Sequence, residues 1–139
     1  MTWTFRVDDL AYAAGYLDGE GCFTLHGSTG YVPSVYCETT HRPTIQWLQM
    51  LLGGNLSSYE RKKKPHWRPT YRWSVHGTAA VEVCHRLLLL LKEKRPQAEI
   101  LIEAGTWPKF QGRRSGVPAA ELEYRGALRA RLKELKHAT

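Results

Sequence analysis

The sequence lacks the features of a membrane protein, a disulfide scaffold or a zinc protein. Its longest apolar run is Leu87–Leu91, five residues, whereas a membrane-spanning helix needs about 20. The three cysteines are odd in number and form no CxxC pair. This argues against disulfides and favours a reducing intracellular compartment, such as the cytoplasm, nucleoid or an organelle matrix. The histidines show no HxH, HxxxH or HExxH spacing. The start, MTWTFRVDD, has no basic region followed by an apolar stretch, so we expect no signal peptide.

Acidic residues are scarce relative to basic ones. The 139 residues include 20 Lys or Arg and 13 Asp or Glu, which gives a formal net charge of +7. A small protein this basic usually binds a polyanion, either nucleic acid or an anionic membrane surface. No predicted helix pairs a basic face with a broad exposed apolar face, so we expect no membrane binding. The hydrophobic content of 42% is enough for one core, and the length fits one domain over 1–139.

Hydrophobic periodicity predicts an alternation of helices and strands. The first part is predicted as a helix, two strands, a helix and a hairpin, at about 8–18, 22–26, 33–40, 43–52, 55–61 and 67–76. Further helices are predicted at 78–94, 96–104 and 118–136. The basic stretch 106–117, with its Pro and Gly residues, separates the last helix from a core of about 8–105. This αββαββα order predicts an α+β fold with helices on one face of one antiparallel sheet.

The segment LAYAAGYLDGEGCF, residues 10–23, carries an unusual combination of small residues and acids. One stripe of the predicted helix is nearly free of side chains, and its members are Ala11, Ala14, Gly15 and Asp18. Such a stripe lets two helix backbones approach closely. Asp18 and Glu20 alternate with Gly19 and Gly21, so carboxylate and carbonyl oxygens can meet at one point, as Mg²⁺ requires. The alternative is an ordinary helix end with two solvated acids.

Residues 13–23, AAGYLDGEGCF, resemble the signature of the LAGLIDADG homing endonucleases, with Ala13 in the usual leucine position. A second resemblance lies at 92–103, KEKRPQAEILIE, where family members often carry a lysine followed by a Gln-Ala helix. The resemblance implies a saddle-shaped sheet that binds double-stranded DNA. Because the motif occurs once, it also implies a homodimer, with the stripe of small residues at the interface.

The resemblance implies roles for individual residues. Glu20 matches the metal-binding acid of the family, which is commonly joined by the carbonyl at the position of Gly19. Asp18 matches an acid that is mainly structural. Lys94 resembles the basic residue of the cleavage pocket; its alternative role is a lysine facing a helix end. The implied reaction is hydrolysis of DNA phosphodiesters on both strands with Mg²⁺ or another divalent cation. The residues that usually hold pocket water fall near Thr40, His41 and Thr44.

Strand alternation predicts a polar face suited to DNA. The expected outward residues on the three strands are Thr24 and His26, then Ser34, Tyr36, Glu38 and Thr40, then Arg68, Thr70 and Arg72. A two-stranded ribbon fits the major groove, where Arg pairs with guanine and Glu accepts from cytosine. The opposite face of the last strand, with Trp67, Tyr71 and Trp73, is predicted to be core rather than a base-stacking surface.

The hairpin turn is strongly basic. It contains Arg61, Lys62, Lys63 and Lys64, which are better placed for phosphates than for bases. The alternative is a solvated turn that protects the edge of a hairpin.

The size of the chain fits a symmetric reader of DNA. A compact chain of this length is roughly 37 Å across, so one subunit covers about one turn of B-DNA, ~34 Å. A dimer would read a nearly palindromic site of about two turns. Two alternatives use the same scaffold: a non-cleaving nucleic-acid-binding protein, such as a maturase for intron RNA or a regulator, and a relative that has lost cleavage. The presence of Glu20 and Lys94 favours the enzyme.

Overall fold

The computed structural model describes residues 7–27, 31–60, 68–106 and 119–137. Within these residues, five helices and four strands follow one another in the predicted order. The elements are α1 (Val7–Glu20), β1 (Cys22–His26), β2 (Val32–Thr39), α2 (Arg42–Leu52), β3 (Asn55–Tyr59), β4 (Thr70–His76), α3 (Thr78–Leu87), α4 (Arg95–Ala104) and α5 (Ala119–His137). None of these helices is long and apolar enough to cross a membrane.

The four strands form one antiparallel sheet in the order β1-β2-β4-β3. One face carries the largest apolar side chains and contacts α1 to α4. Its buried residues are Phe23, Leu25, Val35, Cys37, Trp73 and Val75. The other face is polar, because side chains alternate along each strand. The predicted α+β architecture with helices on one face is therefore confirmed.

Trp73 lies at the centre of this core. Its side chain is fully buried, and its indole Nε1 donates a hydrogen bond of 2.7 Å to the carbonyl of Gly53. A buried indole needs such an acceptor. The next residue, Gly54, has φ +99°, and a Cβ atom there would lie 2.6 Å from the carbonyl oxygen of Ser74. The glycine pair between α2 and β3 therefore lets the backbone approach β4 closely.

The leucine run differs from the prediction. We predicted one helix over 78–94, but α3 ends at Leu87, and a short irregular segment leads to α4. Arg95 explains the difference, because its guanidinium binds three carbonyl oxygens of the run. Nε donates to Leu88 and Leu91, both at 3.0 Å, and Nη2 donates to Leu89 at 2.9 Å. These carbonyls are thereby satisfied without a continued helix.

The last helix lies where it was predicted, and it contacts β1. Leu128 and Leu132 are buried against the core. Arg129 lies over the ring of Tyr31 and donates to the carbonyl of Gly27 at 3.4 Å, which ties α5 to the β1–β2 connection. Residues 107–117 of the predicted basic linker lie outside the described residues.

We predict that Gly54→Ala destabilises the fold more than the neighbouring change Gly53→Ala. Both glycines have positive φ, which costs a non-glycine residue about 1–2 kcal/mol. Only at Gly54 does the added Cβ also meet the backbone and side chain of β4, whereas at Gly53 it meets nothing within 4 Å. Urea unfolding followed by circular dichroism should show at least about twice the loss for Gly54→Ala. Equal losses would contradict the close approach.

Candidate functional site

The exposed side of α1 carries a strip with almost no side chains. Ala11, Gly15 and Gly19 lie four residues apart and are exposed, and a Cβ atom at either glycine would meet nothing within 4 Å. The predicted stripe is wrong at Ala14, which is completely buried. The core-facing side of α1 consists of Ala13, Ala14 and Leu17, so Ala14 cannot touch a partner. The exposed strip is Ala11, Gly15 and Gly19.

Asp18 binds the backbone that leads into α4. Its Oδ2 accepts hydrogen bonds from the N–H groups of Lys92 at 2.8 Å and Glu93 at 3.2 Å, and its Oδ1 accepts from Lys94 at 2.9 Å. Burial, the largest single effect, acts to raise the pKa of Asp18. The three backbone hydrogen bonds and the Lys94 charge together outweigh it and lower the pKa below its usual value.

The side chain of Lys94 in turn contacts the backbone at the end of α1. Its Nζ donates to the carbonyl oxygens of Asp18 at 2.6 Å and Leu17 at 3.4 Å, at the C-terminal end of α1. A cation at this end of a helix is favourable, because the helix dipole is negative there. Lys94 thus makes the contact of a lysine facing a helix end, and its role in a cleavage pocket stays a prediction. We call the reciprocal contacts between Asp18 and residues 92–94 the α1–α4 clasp.

Glu20 lies at the end of α1 immediately after this clasp, and its side chain is exposed. The turn into β1 depends on Gly21, where a Cβ atom would lie 2.7 Å from the carbonyl oxygen of Leu17. Burial raises the pKa of the Cys37 thiol to about 12, and the negative charges of Glu20 and Glu38 add to this shift. The carboxylate of Glu20 therefore acts electrostatically on the end of β2.

A small polar cluster lies at that end of β2. The N–H of His41 donates to Thr39 Oγ1 at 3.1 Å, and His41 Nδ1 and Thr44 Oγ1 share a hydrogen bond of 2.7 Å. Tyr16 belongs to the same region, because the side chain of Thr39 acts to lower its pKa. Burial raises the pKa of Tyr16, with a smaller contribution from the charge of Glu20. The sequence prediction for this region named Thr40, His41 and Thr44 and did not include Tyr16 or Thr39. Thr40 lies beyond the end of β2 rather than in the strand.

The donor groups at the end of α1 suit a hard divalent cation, but one chain supplies few of them. Glu20 offers a carboxylate and Gly19 a carbonyl, and both residues are exposed. Ca²⁺ and Mg²⁺ bind about six or more oxygen ligands. Within residues 7–27, 31–60, 68–106 and 119–137, no group of three or more His, Cys, Asp or Glu could hold a metal. The set fits a cation only where a second copy, a phosphate or water adds oxygens.

The polar face of the sheet carries a connected group of side chains that we call the Arg72 cluster: Tyr36, Glu38, Tyr59 and Arg72. Arg72 donates through Nε to Glu38 Oε1 at 2.8 Å, with Nη2 at 2.6 Å from the same oxygen. Its guanidinium lies 4.3 Å from the ring centroid of Tyr36. The Tyr59 hydroxyl donates to Glu38 Oε2 at 2.8 Å. A hydrogen bond with Cys22, and then burial, raise the pKa of Tyr36.

Most of the predicted DNA-binding residues within the described part of the chain share this face or its rim. Thr24, Tyr36, Glu38, Thr70 and Arg72 are partly exposed, and His26 and Arg68 are exposed. Arg61, Lys62, Lys63 and Lys64 lie outside the described residues. Tyr59 was missed, although alternation along β3 places Asn55, Ser57 and Tyr59 on the same face.

The prediction for Ser34 is wrong. Its side chain is only 1% exposed, although alternation places it on the same face of β2 as Tyr36 and Glu38. Its Oγ donates to the carbonyl of Val32 at 3.3 Å and shares a hydrogen bond of 2.9 Å with His76 Nδ1. Ser34 therefore supports the sheet and cannot contact DNA.

We predict that Asp18→Asn lowers the free energy of unfolding at pH 7 by about 1.5–3 kcal/mol, the range for hydrogen bonds to a charged group. Folding lowers the pKa of Asp18, so its contribution is full above the unfolded value of about 3.9 and is lost as the pH falls through the folded value. The difference from the wild type should therefore narrow below about pH 4.

Urea unfolding over this pH range measures the effect. The matched control is Asp8→Asn, an exposed acid in the first turn of the same helix. It should cost only about 0.3–1 kcal/mol. Equal costs for the two variants would mean that the clasp contributes little.

Solved structures with a similar fold include homing endonucleases bound to DNA. I-CvuI in complex with the I-CreI target in 2 mM Mg, where the DNA is not cleaved, matches with a TM-score of 0.67 and 19% identity, over 94% of this chain and 85% of that chain. The complex of I-CvuI with its own target in 2 mM Ca gives the same TM-score of 0.67, with 19% identity and coverage of 94% and 85%. The archaeal intron-encoded I-Vdi141I, complexed with DNA, matches with a TM-score of 0.51 and 12% identity over 91% of this chain and 97% of that one.

No protein-family model and no curated protein matches the sequence. The chain has the fold of the LAGLIDADG homing endonucleases, as its sequence signature predicted.

Proposed function

We propose that the protein is a homing endonuclease that binds double-stranded DNA on the polar face of its sheet. It would act as a homodimer and cut both strands with Mg²⁺ or another divalent cation. One observation carries this proposal. The strip of Ala11, Gly15 and Gly19 ends at the C-terminal end of α1, where Gly19 and the adjacent Glu20 are both exposed. The similarity of the fold to DNA-bound homing endonucleases supports it.

The surface of α1 supports assembly through this helix. The exposed strip would let the α1 helices of two copies approach closely around a two-fold axis. Tyr12, adjacent to the strip in sequence, is 66% exposed, and its ring packs edge-on against Trp47 with centroids 5.4 Å apart. A second copy would cover part of this aromatic surface. Such an arrangement would bring the ends of both α1 helices, and both Glu20 carboxylates, to the two-fold axis.

Electrostatics then favours a divalent cation at the axis. Two carboxylates beside DNA phosphates repel one another, and the repulsion is larger away from bulk water. Glu20 and Gly19 of each copy would hold the cation, which when bound supplies an acidified water and charge stabilisation for phosphodiester hydrolysis. The α1–α4 clasp would hold the backbone that carries both ligands. Lys94 would reach a phosphate only by leaving the carbonyls of Leu17 and Asp18.

That last contact favours a second candidate function. The ammonium of Lys94 is already bound to the end of α1, at 2.6 Å from the Asp18 carbonyl oxygen. A protein that binds DNA or intron RNA without cutting it has no need of a free lysine there. The two functions differ in whether bound nucleic acid is cut.

We predict that Gly15→Leu disrupts the dimer while leaving each chain folded. The added side chain meets nothing within its own chain at the Cβ position, and leucine favours helix more than glycine does. Sedimentation equilibrium should show a monomer, and circular dichroism should show no loss of helix. The control Ala130→Leu, at an exposed position of α5, should remain dimeric. A Gly15→Leu variant that still forms the wild-type dimer would place the interface elsewhere.

We predict that Glu20→Gln abolishes cleavage and leaves DNA affinity nearly intact. The change removes a charged ligand and retains the shape of the side chain, so cleavage should fall by at least about 10²-fold. The measurement is cleavage of a plasmid library in Mg²⁺ and in EDTA, with binding of the selected site measured in Ca²⁺. Glu123→Gln, which removes the same charge at an exposed position of α5, should cut as the wild type does.

The remaining outcomes separate the candidates. Cleavage in EDTA would exclude the divalent cation, and wild-type cleavage by Glu20→Gln would exclude this ligand. A wild-type protein that binds the site and never cuts it would establish the non-cleaving alternative. Loss of folding in Glu20→Gln would show that the acid is structural.

A further inference from the structure

Arg72 is fixed before any nucleic acid arrives. Glu38 Oε1 contacts both Nε and Nη2 of Arg72, and the Tyr36 ring lies 4.3 Å from its guanidinium carbon. An exposed ion pair alone is weak and mobile. Here the ion pair with Glu38 and the ring of Tyr36 both hold the guanidinium of Arg72. The Arg72 side chain is nevertheless 41% exposed. The guanidinium is therefore oriented and accessible.

The contacts leave one edge of the guanidinium available. Arginine has five N–H donors, and Glu38 occupies the edge formed by Nε and Nη2. Among the described residues, Nη1 of Arg72 makes no hydrogen bond. The Nη1 and Nη2 donors form the pair that matches the O6 and N7 acceptors of guanine in the major groove.

Strand alternation predicts Glu38 as a residue that accepts a hydrogen bond from cytosine, but its carboxylate is already engaged within the chain. Both of its carboxylate oxygens are bound, Oε1 by Arg72 and Oε2 by the Tyr59 hydroxyl. A carboxylate engaged in this way is poorly placed to accept from cytosine. Tyr59 lies on β3, Glu38 on β2 and Arg72 on β4 between them, and the Tyr59 hydroxyl binds the same carboxylate that binds Arg72.

We propose that Arg72 reads one guanine in each half-site and that Glu38 and Tyr59 are positioning residues which orient it. This inference rests on the proposed function, in that the polar face binds DNA. A side chain held in its bound orientation loses less conformational entropy on binding. Removing the Tyr59 hydroxyl, which is bound to Glu38, should therefore relax base preference at the position read by Arg72 and nowhere else.

The test uses the full chain and its own selected site. The preferred site is first selected from randomised DNA with the wild type. Binding is then measured in Ca²⁺ to that site and to sites with each other base at each position, for Tyr59→Phe, Glu38→Gln and Arg72→Lys. The matched control is Tyr124→Phe, because Tyr124 also donates to a carboxylate, that of Glu103, which pairs with Arg131 at 3.8 Å.

We expect Arg72→Lys to reduce the preference for guanine at one position by at least about 10-fold, as expected for loss of a bidentate contact. Tyr59→Phe and Glu38→Gln should reduce the same preference by roughly 3- to 10-fold, because they act through orientation. Tyr124→Phe should leave every preference unchanged. Urea unfolding checks stability, and a purely structural loss would weaken binding to all sites alike.

Four results would overturn the inference. Tyr59→Phe could leave every preference unchanged, or it could weaken all sites equally. Glu38→Gln could relax a cytosine at another position, which would make Glu38 a direct reader. Arg72→Lys could leave guanine preferred. If the wild type selects no sequence at all, the proposed function itself fails, and this result is distinct from a selected site that ignores Tyr59.

Discussion

The carboxylate of Asp18 holds three backbone N–H groups, and the ammonium of Lys94 holds two carbonyl oxygens at the end of the same helix. Hydrogen bonds to charged groups are each worth about 1.5–3 kcal/mol, so this reciprocal contact fixes where α1 ends and where α4 begins. Glu20 follows Asp18 by two residues, and the tight turn after it requires Gly21, because a Cβ atom there would lie 2.7 Å from the carbonyl oxygen of Leu17. The position of the candidate metal ligand is therefore a consequence of a structural contact between two helices that are distant in sequence.

The apolar core and the polar surface lie on opposite faces of the sheet. Alternation of side chains places Trp73 and Val75 in the core and Arg72 and Ser74 on the opposite face of the same strand. A one-residue shift of register would exchange the two sets, so burial of the apolar set fixes the orientation of the polar set. The Arg72 cluster depends on this register, because Glu38 lies directly opposite Arg72. The core thus determines which side chains lie on the polar face.

Local patterns predicted much of the molecule. Alternation placed Trp73 in the core and Arg72 on the opposite face, and the motif around Asp18 and Glu20 predicted the fold. The failures depend on side-chain contacts that hydrophobic periodicity does not report. Arg95 binds the carbonyls of the leucine run where α3 ends, and Ser34 is buried although alternation places it on the polar face. Helical spacing alone could not separate the exposed Ala11 from the buried Ala14, because the rotation of α1 is set by its packing. Tyr59 was missed because its role depends on a partner 21 residues away.

Under the proposed function, the two-fold symmetry of a homodimer would link recognition of DNA bases to cleavage of the strands. One chain offers a single carboxylate and carbonyl at the end of α1 and a single Arg72 cluster on its sheet, so neither a complete site nor a complete reading surface exists in one copy. A second copy at a half-site of opposite orientation doubles both at once. Pairing of the two α1 helices would then be the step that couples recognition to cleavage. A chain bound to one half-site could hold DNA through its charge of +7, yet it would lack the second Glu20 that the site at the axis requires.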